Sequence, residues 1–134
     1  MLRFASLILA LGLAALPVAT SAQQAVPGMV RIWNGSGSGV VRVAVARMAG
    51  GGYGIRVWGS CSPTPCDWGL RPLHVYGGTA HARFGAWGTA TFTSSFSVTR
   101  VVIEYGMTGL GVRTFTHFTD NSGRSDYTLY VVLL

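Results

Sequence analysis

The chain has 134 residues, 49% of them apolar, and ten basic side chains against four acidic ones give a formal net charge of +6. That length holds one domain, and the apolar share is too high for a disordered chain. Every basic residue is arginine, which excludes P-loop, Schiff-base and lysine-nucleophile chemistry, and 19 glycines argue against long helices.

In chain order, residues 1–22 read as a secretory signal peptide. Arg3 supplies a positive start, Leu7 to Leu16 an apolar core, Pro17 a break, and Thr20-Ser21-Ala22 the small residues before a cut at Ala22/Gln23. The core is too short for a transmembrane helix, which takes about 20 residues. No cysteine lies near the cut, so a lipid anchor is not indicated. A chain exported to the periplasm or the medium is expected, with residues 23–134 as its one domain. That portion keeps nine arginines and four acids, a net charge of +5. An arginine-only basic set rich in Ala, Gly and Val is also what a GC-rich coding sequence produces, so it does not by itself announce an anionic partner.

Beyond the leader, period-two alternation recurs between glycine and polar turns, the pattern of an antiparallel sheet protein. Val30 to Asn34 comes first, then the turn Gly35 to Gly39. Val40 to Met48 follows, with Val41, Val43 and Val45 on one face. Ala49 to Gly52 suits a hairpin, because glycine accepts positive φ freely. Tyr53 to Ser60 sets Ile55 and Val57 against Arg56 and Trp58. Further strands are expected over Leu73 to Tyr76, Ala80 to Phe84, Thr89 to Phe96, Arg100 to Tyr105, Leu110 to Phe118 and Asp126 to Leu133. Eight or nine short strands at this spacing predict an all-β fold, a single small antiparallel up-and-down barrel of the lipocalin or avidin kind, with a sandwich as second choice. Closure would remove exposed strand edges. The interior of so small a barrel is filled or holds one small ligand.

The stretch Cys61-Ser-Pro-Thr-Pro-Cys66-Asp-Trp-Gly69 is the most unusual. Two cysteines in an exported chain most simply form a disulfide, and a ring this small contributes roughly 2 kcal/mol. Four intervening residues do not suit a thioredoxin-type site, and no further ligands cluster nearby for zinc. Asp67 is placed to accept turn amides, and Trp68 reads as a core plug or an exposed aromatic platform. The pattern Trp58-Gly59-x-Cys61-x-Pro63-x-x-Cys66-Asp67-Trp68-Gly69 resembles one found in an uncharacterised family of small, mostly bacterial β proteins. Ile32-Trp33-Asn34, the turn Asp120-Asn121-Ser122-Gly123-Arg124 and the late Tyr127 fit the same resemblance. Ser62 and Pro65 depart from it, standing where histidine and an acid are usual. The resemblance implies a fold and no activity, so it transfers no functional residues.

Chemistry is scarce. Asp67, Glu104, Asp120 and Asp126 are the only carboxylates; a solvated turn for the last two and a cross-strand pair with arginine for Glu104 are the expected roles. Gly35 to Gly39 has its serines at the wrong offsets for a nucleophile elbow. His74, His81 and His117 fall in separate expected strands, which does not make a metal site. No catalytic residue, metal or cofactor is therefore expected. Arg42, Arg56, Arg83 and Arg113 alternate with apolar or aromatic neighbours, and a shared face would make an arginine/aromatic surface. An exported chain without a dense basic cluster is not expected to bind nucleic acid. The expectation is a monomeric binding module for a small apolar or aromatic ligand or a glycan, with Arg56, Trp58, Trp68, Tyr76 and Trp87 as candidate contacts. The alternative is an envelope interaction or inhibitor protein acting through the Cys61–Cys66 loop, preorganised for binding.

Overall fold

Alternating side chains build the sheet seen in the computed structural model, which describes residues 23–134; the signal peptide expected over residues 1–22 lies outside the described residues. Strand β1 (Gln24–Ala25) and a 3-10 turn over Pro27–Met29 precede β2 (Ile32–Asn34), β3 (Val40–Arg47), β4 (Tyr53–Gly59) and β5 (Cys66–Tyr76). Then come β6 (Phe84–Gly85), β7 (Trp87–Thr93), β8 (Ser97–Gly106), β9 (Gly109–Phe118) and β10 (Tyr127–Leu133). Eight strands form one antiparallel sheet in the order β10-β9-β8-β7-β5-β4-β3-β2, while β1 pairs in parallel with β6. The sheet curls into a nearly closed barrel. Asn34 and the terminal Leu134 join its two edges by exchanging backbone hydrogen bonds of 3.0 and 2.8 Å.

Closure is one residue pair deep. The Gly35 N–H turns away to the Val41 carbonyl at 2.9 Å, and the loop Gly35 to Gly39 then runs beside β10. It can do so because a Cβ on Gly35 would sit 2.6 Å from Leu133 Cδ2. The glycines expected to make a simple turn therefore also fill a seam.

A second gap opens where β5 changes partner. Its residues from Cys66 to Leu73 pair with β4, but only His74 to Tyr76 pair with β7. Between the pairs Arg56↔Leu70 and Trp58↔Asp67, two β5 residues oppose one on β4. Gly69 takes φ +91° in this bulge, a conformation that glycine adopts freely.

Both gaps lie toward one end, so the barrel has a packed end and an open one. At the packed end, the 3-10 turn buries Met29 completely, and Trp33 Nε1 donates to the Met29 carbonyl at 3.1 Å. The Ala25 N–H donates to Tyr53 Oη at 3.0 Å, and Trp33 meets Tyr105 edge-on at 5.8 Å. Above this plug, Val43, Ile55, Val57, Val101, Ile103, Leu110 and Val112 fill the barrel, each contributing roughly 1.5–3 kcal/mol by leaving water.

Several expected boundaries move; the strand expected over Thr89 to Phe96 runs from Trp87 to Thr93 and leaves Phe96 on the loop before β8. Ala80 to Arg83 is a turn and bend, and only Phe84–Gly85 is a strand there. Glycines 77 and 78 break the pattern, and Ala80-His81-Ala82 brings neither a β-branched side chain nor an apolar face to bury. Conversely, the strand expected to begin at Leu73 begins at Cys66, so Cys66 to Pro72 belongs to β5; the bulge hides its alternation. The disulfide between Cys61 and Cys66 is formed, with the Cα atoms 5.4 Å apart.

Candidate functional site

The inward positions of β8 and β9 change character halfway along. Ile103 and Val101 on β8, and Leu110 and Val112 on β9, face the packed end. Toward the open end the same faces carry Thr99 and Ser97, then Thr114 and Thr116, all buried. Thr99 and Thr116 hydrogen-bond each other through their hydroxyls at 3.1 Å, satisfying polar groups that would otherwise be costly to bury.

Above these hydroxyls lies a solvent-open cavity of about 440 Å³. Its walls are aromatic. Trp68 at the β5 bulge meets Phe92 of β7 edge-on at 5.8 Å. Phe118 at the end of β9 stacks on Tyr127 of β10, with ring centres 5.9 Å apart. Phe96, on the β7–β8 loop, projects from the rim with 46% of its surface exposed.

The rim is fixed by charge. Asp67 accepts both from Arg56 Nε, at 3.1 Å to each oxygen, and from the Gly69 N–H at 2.8 Å. These bonds, Arg56 first, hold its carboxyl below the usual aspartate value. On the β9–β10 loop, the Arg124 guanidinium lies 4.0 Å from the Phe118 ring centre and 5.5 Å from that of Phe96. It donates to Asp120 and to the Ser122 hydroxyl, both at 2.9 Å. Asp120 is likewise held low, chiefly by the Ser122 hydroxyl. The end of that loop is tied by His117 Nδ1 against Asp126, at 2.8 and 3.0 Å. This contact lowers the Asp126 carboxyl.

The candidate residues separate. Trp68 lines the mouth. Trp58 and Arg56 lie on the outer face, where Trp58 sits between Arg42 and Arg56 at 5.5 Å from each. Tyr76 and Trp87 are cross-strand partners facing outward at the packed end, 51% and 39% exposed. The cavity expected to be lined by Trp58, Trp87 or Tyr76 is lined by Trp68, Phe92, Phe96, Phe118 and Tyr127, because Trp58 alternates with the buried Val57. The switch from aliphatic to hydroxyl side chains along β8 and β9 is the sequence signal that marks this end.

The ring from Cys61 to Cys66 stands at the rim, exposed at every residue. Glu104 faces out opposite Trp87 and forms no salt bridge with a described residue, so the expected arginine pair is not made. Among the described residues, no three histidine, cysteine or acidic side chains gather as a metal site. A second depression, bordered by Arg100, Phe115, His117 and Tyr127, lies on the outer face. Most of its side chains are exposed; Thr116 and Tyr127 are shared with the mouth cavity.

Comparison with protein-family models, with curated proteins and with solved structures finds no match to the chain.

Proposed function

We propose that this protein is an exported, non-catalytic binding module whose open barrel end takes a small apolar or aromatic ligand or a sugar ring. The change from an aliphatic core to an aromatic mouth with a hydroxyl floor carries the reading. A cavity of about 440 Å³ falls within the range of small-molecule sites, which combine apolar walls with a few placed polar groups. Flat rings and sugar faces both pack on aromatic side chains. Three of the four carboxylates are engaged by donors and the fourth lies on the outer face, which supports binding over acid–base catalysis. Export is supported by the pattern of residues 1–22 and by the disulfide, which suits an oxidising compartment.

The Cys61–Cys66 ring is less well equipped for the alternative role of gripping a protein. Its exposed residues are Ser62, Pro63, Thr64 and Pro65, whereas binding hot spots favour tryptophan, tyrosine and arginine. The ring fits better as a stiff edge to the mouth.

Titration with the neutral fluorophore phenylnaphthylamine tests the reading. The wild type should bind it saturably at one site. Thr116→Trp, which fills the cavity floor, should weaken binding at least tenfold, and Phe96→Ala, altered only at the exposed rim, several-fold. Binding that is absent, or unchanged in both variants, contradicts the proposal.

A further inference from the structure

Eight of the nine arginines among the described residues are exposed, and Arg71 is the exception. Its position follows from the β5 bulge. Ordinary alternation from the outward Asp67 would put Leu70 inside and Arg71 outside. The extra residue at Trp68-Gly69 reverses the parity, so Arg71 pairs with the fully buried Ile55 and faces inward, while Leu70 is left 45% exposed. An arrangement that exposes a leucine and half-buries an arginine is opposite to what burial alone selects.

The Arg71 guanidinium lies 6.0 Å from the Phe92 ring centre, beside the stretch where β5 and β7 are unpaired. It is not itself among the side chains that line the mouth cavity, where the arginine is Arg124. Arg71 Nη1 donates to the adjacent Leu70 carbonyl at 2.9 Å. It forms no salt bridge with a described carboxylate: Asp67 is held by Arg56 on the outer face, and Asp120 by Arg124. A half-buried cation with one carbonyl partner retains donors for an acceptor from outside the chain. Trp68 and Phe92, the two rings nearest the gap, also form one wall of the mouth cavity.

We propose that the ligand of the mouth is a monoanion, an apolar or aromatic body carrying a carboxylate, sulfate or sulfonate head, with Arg71 as its countercharge. This rests on the reading of the mouth as a binding site and specifies what that site selects. The body packs against the Trp68–Phe92 wall, and the head enters the gap between β5 and β7. Arginine suits this task because its planar fork meets a planar or tetrahedral oxyanion with two hydrogen bonds.

The test pairs two fluorophores that share an aromatic body, neutral phenylnaphthylamine and anionic anilinonaphthalene sulfonate. The wild type should bind the anion about tenfold more tightly, the scale of a charge-assisted hydrogen bond in a half-buried site. Arg71→Gln should remove that preference and leave the neutral probe unchanged. Arg100→Gln, which removes one positive charge from the outer face, should leave both affinities unchanged. Thermal melting of each variant confirms folding before titration, and Arg71→Met serves if Arg71→Gln does not fold. Equal affinity for the two probes in the wild type overturns the proposal. So does an anion preference that survives at Arg71 or falls equally with Arg100→Gln. In each of those cases the mouth still binds the neutral body; if neither probe binds, the underlying reading fails too.

Discussion

Asp67, Asp120 and Asp126 each anchor part of the mouth, and each is held below its usual ionisation range by donors present only in the folded chain. Such a group stabilises the fold fully above the ordinary aspartate value of about 3.9. That contribution falls as pH drops from there through the lowered folded value, where both states become protonated. Melting temperature should therefore hold across neutral and mildly acidic pH and decline below about pH 4. Asp67→Asn should melt lower than wild type at pH 7, with the difference closing below pH 4. A difference that persists unchanged at low pH would mean that Asp67 acts through shape and not charge. The effect should be modest, since these side chains face solvent. At this scale the sequence reading of Asp67 as a turn-amide acceptor matches its bond from Gly69, whereas its stronger tie to Arg56 depends on a cross-strand register that the bulge sets.

Strands with clean alternation were the most legible elements. β3, β4, β8, β9 and β10 fall within a few residues of where period-two patterning puts them; the first four bury one face, while β10 buries only Leu133 and half-buries Val131. Legibility failed where one residue changes parity. The bulge at Trp68-Gly69 masks the first turns of β5 and reverses Leu70 and Arg71, and a single strand offers no register to expose it. The Gly35 to Gly39 loop was readable as a turn but not as a seam filler, since that role depends on β10, nearly a hundred residues away. Gly35→Val should force Leu133 from its buried position, destabilising the protein by about 1–3 kcal/mol. Amide exchange at Asn34 and Leu134, which close the seam, should accelerate more than exchange at Ile103. Gly50→Ala serves as the control, because nothing lies within 4 Å of its Cβ position. Equal acceleration throughout the barrel would show that the seam does not open on its own.

For the whole molecule, the barrel carries two conflicting demands. The plug formed by Met29, Trp33 and Tyr105 gives it a dry, well-packed end. The gaps beside β10 and between β5 and β7 leave the other end wide enough to expose interior aromatic rings. All-β class and near-closure were readable from strand spacing. The split between packed and open ends was partly written in the shift from Ile103 and Val101 to Thr99 and Ser97 along one strand face. The residues that complete the mouth were not readable, because Trp68, Phe92, Phe118 and Tyr127 come from four different strands and Phe96 from a loop, and they meet only in the closed sheet. The central claim is that this end binds a small ring-bearing molecule. The most direct measurement is an amide and indole NMR shift map recorded while phenylnaphthylamine is added. The account predicts saturable shifts at Trp68, Phe92, Thr99, Thr116, Phe118 and Tyr127, with Met29, Trp33, Tyr76 and Trp87 unmoved. Shifts centred on the outer face around Trp58, Tyr76 or Trp87, with the mouth residues silent, would contradict it.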